Sequence, residues 1–304
     1  MNKNIILLLI AFSLNFQVLC QTEQFKVMSY NIWNGFDWGK DKVREDALIE
    51  WLKKQDADVI GFQELNGFTA DKLQELASRW GHPYSILLKE DGYPIGITSK
   101  TPLLLKTKMI GGMWHGMLHA QTLGIDFIVV HLSPQDWKFR RREAEILSDY
   151  IQNVLIQSGQ EKYMVLGDFN AHSPFDIDFD KNNPTELRLA RQADSIRLAE
   201  KGKDAFINLR MGNTDYSVMA KFLSIPLIDV VRPHIPDSRL KSFPTPLVTK
   251  DMDPEDREKY QKRIDYILTG TYFEDKVVHA EIINYGQPER LSDHFPVIAV
   301  FENK

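Results

Sequence analysis

The chain has 304 residues, 43% of them hydrophobic and 26% charged, a balance that excludes disorder and supplies a sizeable core. Its formal net charge of -5 argues against binding polyanions by bulk attraction, since nonspecific nucleic-acid binders carry a basic surplus. A single cysteine, Cys20, excludes a disulfide framework.

The sequence opens on Lys3 and an apolar run from Ile5 to Phe12, extended by Leu14 and Phe16, whose length and flanks suit a secretory signal rather than a spanning helix. Cleavage after Cys20 places Val18 and Cys20 at the two positions that favour small residues and leaves Gln21 at the new N-terminus. The alternative is a lipid anchor on Cys20, although Leu19 fits poorly where lipoprotein signals want a small residue. On either reading the protein is exported, to the periplasm or outside the cell, and no later stretch could span a bilayer. Residues 1–20 are thus the signal and residues 21–304 one domain, undivided by a linker, a low-complexity tract or a clear internal repeat.

Along that domain, "FKVMSYN", "DVIGFQE", "IDFIVVHL", "KYMVLGDFN", "RIDYILT" and "FPVIAVF" are strand candidates, short and rich in β-branched and aromatic residues. Helical periodicity separates them. In "KVREDALIEWLKKQ" the stripe is Val43, Ala47, Leu48, Trp51 and Leu52, and Leu73, Leu76 and Ala77 form the next. "WKFRRREAEILSDYIQNVL" and "TELRLARQADSIRLAEKG" are two further helices, and "TKDMDPEDREKYQKR" reads as a solvated loop or helix start. Strands alternating with helices predict an α/β architecture.

Polar residues recur at the ends of these strands: Asn31 after "VMSY", Glu64 after "VIGFQ", His131 after "IVV", Asp168 after "MVLG" and Asp265 inside "RIDYIL". Asp293 and His294 stand just before the last strand. Each has a bland explanation, a turn cap or a satisfied core histidine, and Asp168 and Asn170 flanking Phe169 could be turn residues. Six in an ordered series describe the mouth of a site.

The motifs "SYNIW", "FQEL", "VVHLSP", "GDFNAHSP", "RIDYIL" and "SDHFPV" resemble, in order, those of the endonuclease/exonuclease/phosphatase superfamily, over about residues 25 to 301. "GITSKTPL" is similar to a further strand and turn of that family. The resemblance implies a four-layer α/β sandwich, two packed mixed β-sheets flanked by helices, that hydrolyses a phosphate ester with a divalent metal, Mg2+ or alternatively Mn2+. A hard cation with oxygen ligands suits attack on an anionic ester. By the same resemblance Glu64 and Asn31 hold the metal with Asp293 behind them or at a second ion, and Asp168 orients or deprotonates the attacking water. Asn170 donates to a phosphoryl oxygen, Asp265 fixes the tautomer of His294 at the phosphate, and His131 protonates the leaving group. Abasic-site endonucleases of the family carry tyrosine in the motif of His131, which argues against base-excision repair.

Arg263 is expected to support Asp265 or to lie on the surface. Trp33, Phe36, Trp38, Trp114, His115 and His119 fall in expected loops, where they either stack on substrate or pack the loops. His115 stands where many relatives carry arginine, and Lys138, Arg140, Arg141 and Arg142 fan around a helix start rather than form one basic face. The expected partner is a small or lipid-linked phosphate ester, acted on by a monomer. A secreted nuclease of the same chemistry and a catalytically dead binding module are the alternatives.

Overall fold

The computed structural model describes residues 24–302. The apolar segment through Cys20, with the expected cleavage before Gln21, lies outside the described residues. The strands are β1 (Gln24–Asn31), β2 (Val59–Gln63), β3 (Tyr84–Leu87), β4 (Gly96–Ser99), β5 (Leu104–Met109) and β6 (Met117–Thr122). They continue as β7 (Ile125–His131), β8 (Tyr163–Asp168), β9 (Leu227–Asp229), β10 (Asp265–Gly270), β11 (Val277–Ile282) and β12 (Val297–Glu302). The helices are α1 (Trp33–Gly39), α2 (Lys42–Gln55), α3 (Ala70–Arg79), α4 (Trp137–Tyr150), α5 (Ile177–Asn182), α6 (Pro184–Lys201), α7 (Ser217–Leu223) and α8 (Pro254–Glu258). Among the described residues no helix is long and apolar enough to cross a membrane.

All six strand candidates form strands, and all six are largely buried on both faces, as are β4 and β6. One six-stranded sheet runs β11-β12-β1-β2-β4-β3 and the other β5-β6-β7-β8-β10-β9. Val27, Val59, Phe127, Val129, Leu166 and Val297 fill the space between them. The opposite face of the first sheet, with Met28, Ile60 and Phe62, packs on Leu48 and Leu52 of α2 and Leu73 and Leu76 of α3. The opposite face of the second, with Ile128, Val130 and Val165, packs on Ala144 and Leu147 of α4 and Phe222 of α7. The result is the expected four-layer sandwich, and residues facing two apolar layers read as predominantly hydrophobic runs. Val43, assigned to the apolar stripe of α2, is instead 83% exposed, and Ile49 is buried in that helix.

The two sheets share one plan. Each has a single parallel pair at its centre, β1 with β2 and β7 with β8, and antiparallel neighbours elsewhere. Parallel pairing brings the C-terminal ends of both strands to the same edge of their sheet. Antiparallel pairing brings the start of β10 and the approach to β12 to that edge as well. This shared plan is a structural duplication that the sequence, with no visible repeat, does not reveal.

The segment after Asn31, expected as a loop, is α1, and it is left-handed: Asn34 to Trp38 have φ between 52° and 62°. Such backbone costs about 1–2 kcal/mol for each residue with a side chain. Gly35 is required there, because a Cβ would lie 2.1 Å from the Asn66 carbonyl oxygen. Buried Arg44 holds the turn, donating from Nη1 to the Ile32 carbonyl at 2.8 Å and from Nη2 to the Trp33 carbonyl at 2.9 Å.

Candidate active site

Strand register builds the site. His131 of β7 is level with Asp168 of β8, and Asp168 with Asp265 of β10, so three candidate side chains stand in a row across adjacent strands. Gly167 makes the approach possible: its φ is 152°, and a Cβ would sit 2.0 Å from the Val130 carbonyl oxygen. Phe169 turns the other way, fully buried against Phe222 and Tyr266 with ring centroids 5.3 and 5.4 Å away.

Asp168 is the hub. Its Oδ2 accepts from Asn31 Nδ2 at 3.1 Å and lies 3.5 Å from His131 Nε2 and 3.6 Å from His294 Nε2, while Oδ1 accepts from the Asn170 backbone N–H at 2.8 Å. His294 Nδ1 meets Asp265 Oδ2 at 2.9 Å. Burial and the neighbouring Asp265 charge push the Asp168 carboxyl up to about 8, with His294 opposing. Burial disfavours a charged His294, but Asp265, Asp168 and Asp293 outweigh it and hold the imidazolium well above its usual range.

Glu64 and Asn31 face this hub from the other sheet. Asn31 Nδ2 also reaches Glu64 Oε1 at 3.3 Å, and its Oδ1 accepts from the Trp33 N–H at 3.1 Å. Glu64, itself at φ 60°, accepts on Oε2 from the Asn34 N–H at 2.8 Å, so the strained left-handed turn aims a backbone donor at this carboxylate. To offer Oδ1 rather than Nδ2 on the Glu64 side, the Asn31 amide would have to make a half-turn and give up the Trp33 N–H. Asp293 Oδ1 accepts from Ser292 Oγ at 3.3 Å, and that hydroxyl also bonds the Asn31 carbonyl at 2.6 Å. Burial pushes the Asp293 carboxyl up to about 6, with His294 opposing and Glu64 reinforcing.

Every residue assigned to the site from sequence is therefore at one edge of the sandwich. Asn170, at φ 48°, turns its amide to the Leu132 carbonyl at 3.0 Å. His131 is 2% exposed and its Nδ1 finds no hydrogen-bond partner. Burial, with His115 and His294 nearby, holds it well below the usual imidazole range. His115 stacks on it, centroids 4.1 Å apart.

Asp168, Asp265 and His294 offer ligand atoms within 4.8 Å of one another, a set that could hold a metal ion once His294 gives up a proton. The wider chemistry agrees: Glu64, Asp168, Asp265 and Asp293 gather around one imidazole cation, and the carboxyls of Asp168 and Asp293 are raised first by burial and then by a neighbouring like charge. An oxygen-rich, anionic set suits a hard divalent cation.

Three expectations need correction. Arg263 does not support Asp265 and is not on the surface. It is 1% exposed and pairs with Asp176 and Asp229, each at 2.7 Å. Arg263→Met should lower unfolding stability by about 3–5 kcal/mol by stranding these carboxylates, which a denaturant titration reads. His119 is in β6, not a loop, and is a satisfied core residue between Tyr150 Oη at 2.8 Å and Asp126 Oδ1 at 2.7 Å. Arg140 leaves the solvated helix start for the interior, donating to the Ser133 carbonyl at 2.6 Å.

Glu143 was invisible to sequence reasoning. It is buried and accepts from the backbone N–H groups of Ser133 and Trp114, both at 2.7 Å, tying the His131 strand end to the His115 loop. Burial pushes its carboxyl up to about 7 against these bonds and nearby Arg140.

The family model for the Endonuclease/Exonuclease/phosphatase family matches residues 28–294, and the chain belongs to that family. Its chemistry is thus hydrolysis of phosphate esters. No curated protein matches at the level of sequence. The fold is similar to that of an AP endonuclease from Archaeoglobus fulgidus, with TM-score 0.66 and 18% identity over 91% of this chain and 99% of that one. A Neisseria 3' phosphatase, NExo, bound to a product DNA hairpin is similar at TM-score 0.65 and 18% identity, covering 91% of this chain and 99% of its own. The 3'-5' exonuclease NExo from Neisseria meningitidis gives TM-score 0.63 at 18% identity, over 91% and 100% of the respective chains.

Proposed function

We propose that this chain is an exported, divalent-metal-dependent phosphodiesterase or phosphatase acting on a small or lipid-linked phosphate ester, with magnesium as its ion and manganese as an alternative. The observation that carries the catalytic reading is Asp168, whose one carboxylate is approached by Asn31, His131, His294 and the Asn170 N–H. Glu64, Asn31 and Asp293 would hold the ion, which when bound neutralises phosphate charge and polarises a phosphoryl oxygen.

The side chains do the rest. Asp168 orients the attacking water and takes its proton. His294, kept cationic by Asp265, stabilises the phosphoryl oxygens, and the Asn170 amide adds a donor once it leaves the Leu132 carbonyl. His131 delivers a proton to the departing alcohol oxygen, which matters most when the leaving group is poor.

A small ester is favoured over nucleic acid because the basic cluster at the start of α4 offers no single face: Arg140 is buried while Lys138 and Arg142 are exposed. The nuclease alternative has its own support in Trp38, 48% exposed, and Tyr93, 37% exposed, which meet edge to face at 6.4 Å and lead through His115 to His131. Parallel assays with magnesium on plasmid DNA, phosphoinositides, sphingomyelin and sugar phosphates decide between them. Turnover of the small esters at least tenfold above that of DNA is expected, and the reverse order sinks the small-ester reading.

A further inference from the structure

Just beyond the strand ends that carry His131, Asp168 and Asp265 lies a cavity of about 80 Å³. Its walls are built by the segments that run on from those strand ends, and it shares Asn170 with the site: Pro134 follows β7, Asn170 and His172 follow β8, and Lys262 and Ile264 precede β10. Arg140 from α4, Glu186 from α6, and Asn208, Thr214 and Asp215 from the segment that follows complete the polar lining. None of these, apart from Asn170, has a role in the chemistry described above.

The charges of this cavity are already balanced within the protein. Lys262 Nζ sits 2.9 Å from Glu186 Oε1, His172 Nδ1 is 3.0 Å from Asp180 Oδ2, and Arg210 Nη1 is 3.8 Å from Asp215 Oδ1. Arg140 gives Nη1 to the Ser133 carbonyl and to Asn208 Oδ1 at 3.1 Å, and its buried Nε has no partner. A second phosphate would therefore meet Glu186 and Asp215 as well as the cations. A hydroxyl group, donor and acceptor at once, can use both kinds of wall.

Size sharpens the choice. One water needs about 10–15 Å³ of such space, so the cavity admits several oxygens. It is far smaller than the roughly 300–1,000 Å³ that takes a drug-sized molecule, which leaves no room for a nucleoside or an acyl chain.

We propose that this cavity is a subsite for the hydroxyl groups of the substrate's alcohol portion, so that the preferred esters are those of a sugar or polyol. The inference rests on the phosphate-ester hydrolase reading and narrows it. Buried polar groups left unpaired by a substrate lacking the matching hydroxyl are what give such sites their discrimination.

The test compares matched esters in the magnesium-supplied enzyme, as monoesters and as methyl diesters: inositol monophosphate against cyclohexyl phosphate, and ribose phosphate against tetrahydrofurfuryl phosphate. The hydroxylated member is expected to have a kcat/KM about 10²-fold higher in at least one pair, and the pair that responds tells a six-membered polyol from a pentose. Ala190, half-buried on α6, also lines the cavity, so Ala190→Leu fills it without removing a polar group. In that variant the ratio should fall towards one while cyclohexyl phosphate is hydrolysed as before. Comparing ratios between variant and wild type cancels the different acidities of the alcohols. If Ala190→Leu is poorly folded, Thr214→Val supplies the same comparison. A wild-type ratio near one, or a ratio that survives the folded variant, overturns the subsite while the hydrolase reading stands. No turnover of any ester overturns both.

Discussion

Asp168→Asn should lower turnover of any phosphate ester by about 10²–10⁴, the usual worth of a positioned base, while leaving the metal-free protein as stable as wild type or more so. The two halves of this result have one cause. Asp168 is 1% exposed and faces Asp265, and burial with that like charge raises its carboxyl to about 8, so the carboxylate is held where it is costly. An amide keeps the acceptor for the Asn170 N–H, now 2.8 Å from Oδ1, and removes the charge, while its NH2 replaces the Oδ2 that accepts from Asn31 Nδ2 at 3.1 Å and so requires the Asn31 amide to turn. A functional group stored at the expense of stability behaves in this way, whereas a structural carboxylate loses stability on replacement. Thermal melts without and with magnesium, beside steady-state kinetics, separate the cases. Magnesium should raise the melting temperature of wild type more than that of the variant. Turnover within about tenfold of wild type would remove Asp168 from the base role.

How much of this was legible in the sequence follows from where each residue sits. Strands β1, β2, β7, β8, β10 and β12 face apolar layers on both sides, so their sequences are predominantly hydrophobic runs, interrupted only at single positions such as Lys26 and Asp126. The edge strands β3, β5 and β11 are partly solvated, and "LLKTKM" carries neither a clean alternation nor a continuous run. β6 was missed for another reason. Its His119 and Gln121 look like loop residues until their common partner Asp126, one strand away, satisfies them. That the candidate site residues gather at one edge was legible because they follow or open the readable strands. The residues that support them were not, since Glu143 and Arg140 act through backbone groups that only the tertiary structure brings near. Arg263 was misplaced for the same reason: its partners, Asp176 and Asp229, are far from it in sequence. The left-handed turn of α1 could not be read either, because Gly35 alone does not announce five neighbours of positive φ.

His131→Ala should cost about 10² or more on an alkyl phosphate ester and far less on a nitrophenyl ester, because a good leaving group departs without needing a proton. The structure makes the prediction sharper than the motif did. Burial, His115 and His294 hold the resting His131 neutral, and its Nε2 looks toward Asp168 Oδ2 at 3.5 Å. A neutral imidazole is a poor acid, so the proton must be taken up when the anionic ester arrives and its charge offsets the desolvation that now disfavours the cation. His131→Asn, which keeps a hydrogen-bond donor of similar reach but cannot carry a transferable proton, should then fail to rescue the alkyl ester. His294→Ala, in contrast, should slow both esters alike, since charge on the phosphoryl oxygens must be stabilised whatever group leaves. Equal slowing of the two esters by His131→Ala, or full rescue by asparagine, would show that His131 only holds the phosphate or packs against His115. The proton would then reach the leaving oxygen from water.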